Sequence, residues 1–143
     1  MPFIRVDTVV GRYTEQQRAA MSDVLYDAVV GIGALPNDRF QVFTEHPPGQ
    51  LVFDRTYLDI PRTDGFVAIQ VTLNAGRTVE QKKGLFAAIA EGFEKRVGAR
   101  REDVFISLVE IPRENWSFGN GEAQYAPRRA AIRRRARPSR ERS

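Results

Sequence analysis

Polar and apolar positions follow the same scheme twice along the chain: strand-like alternation, helical spacing, then strand again. Phe3-Ile4-Arg5-Val6-Asp7 changes character at every residue, the period-two pattern of a strand with one buried face. A helix is predicted from Thr14, whose hydroxyl can accept from first-turn amides while Gln17 reaches back to complete a capping box. Met21, Val24, Leu25, Ala28 and Ile32 share one face of it; Gly31, Gly33 and Pro36 close it, and Phe40-Gln41-Val42-Phe43 resumes as a strand. In the second half, residues 66–73 are almost continuously apolar, as expected of a central strand. Thr78 and Gln81 repeat the capping box, and Phe86, Ile89, Ala90, Phe93 and Val97 supply the matching helix face. Gly98 ends that helix, and residues 104–111 read as the last strand.

The halves align without a gap at an offset of 65 residues. Ile4 and Val6 match Ile69 and Val71; Gly11-Arg12 matches Gly76-Arg77, and Glu15-Gln16 matches Glu80-Gln81. Gly33-Ala34 matches Gly98-Ala99, and Asp38, Phe40 and Glu45 match Asp103, Phe105 and Glu110. Two β-α-β units, at about 2–45 and 66–111, are therefore expected. With right-handed crossovers they form an α+β fold, a four-stranded sheet with two helices on one face. The other sheet face stays uncovered, which calls for an oligomer. Residues 46–64, with His46 and two adjacent prolines, read as a long loop containing at most a short strand.

Composition suits a soluble globular protein, with 42% apolar and 28% charged residues and a net charge of +4. The location of that charge changes its meaning. Residues 128–143 hold eight arginines and one acid, so of 22 basic and 18 acidic residues 14 and 17 remain in 1–127. A mildly acidic domain over 1–127 with a disordered, arginine-rich tail over 128–143 is expected. Such a tail can hold polyanions non-specifically, but an acidic body does not suit a dedicated nucleic-acid fold. The absence of cysteine excludes disulfides and thiolate chemistry, and a single histidine gives no zinc constellation. No apolar run reaches membrane-span length, and charges at Arg5, Asp7 and Arg12 interrupt any signal-peptide core, which makes a cytoplasmic protein the default. Nothing in the sequence calls for a metal or cofactor.

Pro2 follows the initiator Met1 and is small enough for that methionine to be removed, leaving a secondary amine. An α-amino group titrates near 8; burial would lower that value and a neighbouring carboxylate would raise it. Either way it can move protons near neutral pH. Asp38 stands before a strand, where aspartate commonly serves a turn. Arg77 precedes a helix start, where its charge opposes the helix dipole and asks for an anion. Trp116 and Phe118 lie beyond the last strand among Asn, Ser and Gly, an unusual place for core residues.

Taken together, these segments resemble the tautomerase superfamily, and within it the malonate semialdehyde decarboxylase group and the neighbouring cis-3-chloroacrylic acid dehalogenases. The resemblance spans about residues 2–126. It is carried by Met1-Pro2-Phe3-Ile4, Pro36-Asn37-Asp38-Arg39-Phe40-Gln41, Ile60-Pro61-Arg62-Thr63-Asp64, Ala75-Gly76-Arg77-Thr78 and Asn115-Trp116-Ser117-Phe118-Gly119-Asn120-Gly121-Glu122-Ala123-Gln124-Tyr125. It implies a cofactor-independent lyase or isomerase acting on a small oxo acid, a malonate semialdehyde decarboxylase with weak keto–enol tautomerase or hydratase activity, assembled as a homotrimer. It assigns Pro2 as the catalytic amine, Asp38 as a base for water or a counter-ion to Pro2, and Arg77 as the carboxylate-binding group. Trp116 and Phe118 become the apolar wall, with His46 and Tyr125 as further candidates for substrate contact. Some decarboxylases of the group carry an Arg-Pro-Arg pair where this chain has Asn74-Ala75-Gly76-Arg77, which leaves the grip on substrate to Arg77. Keto–enol tautomerisation is the alternative main activity, and a non-catalytic oligomer binding polyanions through its tail is the alternative from another class.

Overall fold

The computed structural model describes residues 2–127, so the arginine-rich segment 128–143 lies outside the described residues. Contacts divide the chain after Pro112 into two compact units. The first contains all four strands, β1 (Phe3–Val9), β2 (Phe40–His46), β3 (Val67–Asn74) and β4 (Val104–Ile111), and both helices, α1 (Glu15–Val30) and α2 (Val79–Gly92).

The sheet order is β2-β1-β3-β4. Each half contributes a parallel pair, β1 with β2 and β3 with β4, and the halves join antiparallel through β1 and β3. Ile4 and Val6 of β1 and Val67, Ile69, Val71 and Leu73 of β3 are buried and, with Met21, Leu25, Leu85, Ile89 and Phe93 of the helical layer, build one core. Alternation sends the other residues to the opposite face, where Phe40 and Phe105 remain 48% and 50% exposed. Among the described residues, no helix is long and apolar enough to cross a membrane.

Both expected capping boxes form. The Thr14 and Thr78 hydroxyls accept from the Gln17 and Gln81 amides at 3.1 Å, and each Gln side chain accepts in return from the threonine amide. These caps are 64 residues apart, whereas the strands and the glycines Gly33 and Gly98 keep the 65-residue offset. A π-helical turn at Phe93–Val97, closing on left-handed Gly98, takes up the extra residue. Its consequence is a correction to the expected core. Leu85 and Ile89 occupy the places corresponding to Met21 and Leu25, while Phe86 and Ala90 are only half-buried.

Residues 47–65 form a long connection with one 3-10 turn, Tyr57–Asp59, rather than a strand. Arg62 gathers it from within by donating to the Asp54, Tyr57 and Ile60 carbonyls at 3.1–3.2 Å. Phe53 stacks on Phe66 with ring centroids 4.3 Å apart. His46 belongs to β2 and not to this loop.

Candidate active site

The topology brings three chain segments to one end of the sheet. Phe3 pairs with Phe40 of parallel β2 and with Thr72 of antiparallel β3. Pro2, buried just ahead of Phe3, therefore lies beside the entry to β2 and the exit of β3. Asp38 is two residues before Phe40, and the turn holding Arg77 follows Asn74.

Asp38 is only 6% exposed. Burial pushes its carboxyl above the ordinary aspartate range. The expected turn is also present: Asn37 adopts a left-handed φ of 68°, and the Asp38 amide donates to the Leu35 carbonyl at 3.2 Å.

Arg77 is half-buried and donates through Nη1 to the Asn74 carbonyl at 2.9 Å. That bond holds its stem against the end of β3. No carboxylate among the described residues forms an ion pair with it, and its charge still helps to hold Glu110 below the usual carboxylate range, behind the larger effect of the Lys82 ammonium. Gly76, at φ 120°, makes the turn possible, since side-chain-bearing residues rarely adopt that conformation. Thr78 caps α2 immediately afterwards, so the guanidinium and the helix's amino end lie in adjacent residues. An anion placed there would satisfy both.

The duplication places the mates of these residues at the opposite end of the sheet, and they differ in kind. Val67 stands where Pro2 stands in the first half and has no amine to offer. Asp103 accepts the Thr63 amide at 2.7 Å and its hydroxyl at 2.6 Å, while the Tyr13 hydroxyl donates to the Gly65 carbonyl at 2.5 Å. Burial, and then the nearby Asp103 charge, push the Tyr13 phenol up to about 12. The long connection thus uses the second aspartate as an anchor.

Comparison with known proteins agrees with this architecture. Two families, each described as tautomerase enzyme, match residues 38–119 and 2–58. The chain belongs to the tautomerase superfamily. It is 38% identical over 125 residues to the probable tautomerase YusQ of Bacillus subtilis (strain 168), covering 87% of this chain and 98% of that protein. Two malonate semialdehyde decarboxylase structures share its fold. One has a TM-score of 0.80 at 31% identity, covering 86% of this chain and 95% of the other. The second, FG41 malonate semialdehyde decarboxylase inhibited by 3-bromopropiolate, has a TM-score of 0.79 at 40% identity, covering 86% and 93%. A fused 4-OT, solved as a symmetric trimer, has a TM-score of 0.70 at 27% identity, covering 88% of this chain and 99% of that one.

Of the residues singled out in this tautomerase-superfamily chain, Pro2, Asp38 and Arg77 lie at the same end of the sheet. His46 does not join them within the chain. It pairs with Val9 at the far end of β2, and its Nε2 lies 2.6 Å from the Asp7 carboxylate. A strand that starts beside Pro2 carries its seventh residue about 20 Å away. Trp116, Phe118 and Tyr125 belong to the second unit, where they form their own cluster. Trp116 stacks on Phe118 at 5.6 Å, and Tyr125 meets Phe118 edge-on at 5.1 Å. Gln124 braces that cluster, accepting from the Phe118 amide and donating to the Gly119 carbonyl, both at 2.9 Å. Its polarity in a glycine-rich segment was the available signal. Asn74 also escaped the sequence reading: its carbonyl orients Arg77, but a strand-end backbone acceptor leaves no mark on side-chain pattern.

Proposed function

We propose that the Pro2 amine, released by loss of Met1, is the acid/base of an enzyme acting on a small oxo acid, with malonate semialdehyde-type decarboxylation as its main reaction. The observation that carries this reading is the placement of buried Pro2 and buried Asp38 at the end of the sheet where Arg77 also lies. The carboxylate stabilises the protonated amine, whereas burial of Pro2 opposes it. Arg77 pairs with the substrate carboxylate or aligns it for departure. As the carbon–carbon bond breaks, carbon dioxide leaves, the bond's electron pair moves towards the carbonyl, and protonated Pro2 gives its proton to the developing enolate oxygen. The enol becomes the aldehyde when its carbon takes a proton from water and its hydroxyl returns a proton to Pro2. The relative studied with decarboxylase and hydratase activities and with a proline-to-alanine change at its first residue supports the amine's role.

Keto–enol tautomerisation as the main activity is the second reading, favoured by the name of the Bacillus subtilis relative. It requires a neutral Pro2 that passes a proton between carbon and oxygen. For Trp116, Phe118, Tyr125 and His46, the proposed contact with substrate rests on the family resemblance. The proposed homotrimer rests on the trimeric fused 4-OT and on the exposed Phe40 and Phe105 of the open sheet face.

The test combines intact mass with turnover of malonate semialdehyde and phenylpyruvate by the wild type and Pro2→Ala. The expected result is a mass lacking Met1 and a loss of about a hundredfold or more in kcat in the variant. The faster substrate decides between the two readings. Equal rates in the two proteins, or a retained methionine in an active enzyme, would end the proposal.

A further inference from the structure

We propose that Tyr26 is a positioning residue for Asp38, holding the turn that carries this carboxylate by gripping both of its chain neighbours. The Asn37 amide, on one side, donates to the Tyr26 hydroxyl at 3.1 Å. On the other side the Arg39 guanidinium lies over the Tyr26 ring, 4.2 Å from its centroid. Arg39 is tied to the same helix by bonds to Asp23 at 2.8 Å and Ser22 at 3.2 Å. Gln41 continues the series, donating to the Ser22 carbonyl at 3.1 Å. Residues 37, 39 and 41 are thus fastened to α1, and Asp38 is suspended between the first two. A phenol whose hydroxyl accepts a hydrogen bond and whose ring face holds a cation, mounted on one helix, fixes the direction of the intervening residue more tightly than the turn alone.

The duplication isolates the purpose of this grip. The mates of Asn37 and Arg39 are Glu102 and Val104, and in the 64-residue register of the helices the mate of Tyr26 is Ala90. None can rebuild the clamp. In that half Asp103 is held directly, with both oxygens committed to Thr63, an arrangement that suits an anchor and not a group that must exchange a proton. The first half restrains its aspartate through the neighbours on either side, the Asn37 amide and the Arg39 guanidinium.

The inference rests on the role of Asp38 in the proposed reaction, and one readout is independent of turnover. Tyr26→Phe keeps the ring and removes the hydroxyl; Tyr26→Leu removes both contacts. The Asp38 carboxyl is titrated by carbon-13 NMR in each, alongside kcat and KM for malonate semialdehyde. Loosening the turn admits water to a buried carboxyl, so its midpoint is expected to fall by about half a unit in Tyr26→Leu and by less in Tyr26→Phe. The expected fall in kcat is about tenfold and about threefold respectively, with KM within about twofold of wild type and the pH profile of kcat moving with the carboxyl. A folded Tyr26→Leu protein with wild-type midpoint and kcat overturns the assignment. If that variant does not fold, unchanged values in Tyr26→Phe overturn it equally. A midpoint that moves in an enzyme inactive towards oxo acids sinks the proposed reaction and retains the clamp.

Discussion

Asp38 and Asp103 are repeat mates at opposite ends of one sheet, each just ahead of the outer strand of its half. Both are buried, at 6% and 1% exposure. Thr63 binds both oxygens of Asp103, whereas Asp38 shares its end of the sheet with Pro2 and Arg77. One ancestral position has become an anchor in one half and, under the proposed function, a site residue in the other. Burying a carboxylate is costly unless its surroundings compensate. For Asp103 the compensation comes from Thr63.

This contrast predicts a separation of effects. Asp38→Asn should lower kcat by about a hundredfold while leaving the folded state intact. Asp103→Asn should leave kcat within a few-fold and cost about 1.5–3 kcal/mol of stability, because hydrogen bonds to a charged acceptor are lost. Steady-state kinetics and urea denaturation of both variants check it, and the reverse pattern would refute the assignment.

The direction of the Asp38 shift predicts a pH dependence. Its folded pKa lies above its unfolded value, so the stability it contributes is full below the unfolded pKa and is lost as pH rises through the folded one. The neutral amide of an Asp38→Asn variant lacks this dependence. The stability advantage of Asp38→Asn over wild type should therefore be greatest near neutral pH and shrink as pH falls through the carboxyl's range. Urea midpoints of both proteins across that range give the answer; a difference that grows on acidification contradicts it.

Arg77 should be felt in substrate binding. Arg77→Gln keeps a donor for the Asn74 carbonyl but removes the charge, and kcat/KM should fall about a hundredfold, mostly through KM. Arg77→Lys should recover only part, since an ammonium cannot offer two parallel donors. Full activity in Arg77→Gln would remove Arg77 from the site.

The helix pair offers a test of packing remote from the chemistry. A Cβ at Gly92 would lie 2.5 Å from Cγ1 of buried Val24, a β-branched side chain with little rotamer freedom. Gly92→Ala should therefore destabilise by about 1–3 kcal/mol, although alanine is the better helix former. Adding Val24→Ala should recover part of that loss in the double variant. A stabilised single variant would show that the helices can separate at no cost.

Local rules carried much of the fold. Alternation at Phe3–Val9, the boxes at Thr14 and Thr78 and the stop at Gly98 are interactions between near neighbours, and they appear where the pattern puts them. Repetition then dictated two β-α-β units, and right-handed crossover placed both helices on one face. The ungapped alignment misled at Phe86 and Ala90, because a π turn changes the phase of a helix without changing its composition. The one-residue difference between the spacing of the caps and that of the glycines was its visible trace.

What the sequence determined by itself was therefore the set of elements, their order and the residue types able to do chemistry. Tertiary structure decided which of them meet. His46 and Asp38 belong to the same half, yet a strand's length separates one from Pro2 while register brings the other beside it. Two aspartates with the same local setting differ because the long connection closes on only one of them. Periodicity is written in neighbours along the chain, but a carboxylate's partners are set by segments 40 residues away, and only folding brings those together.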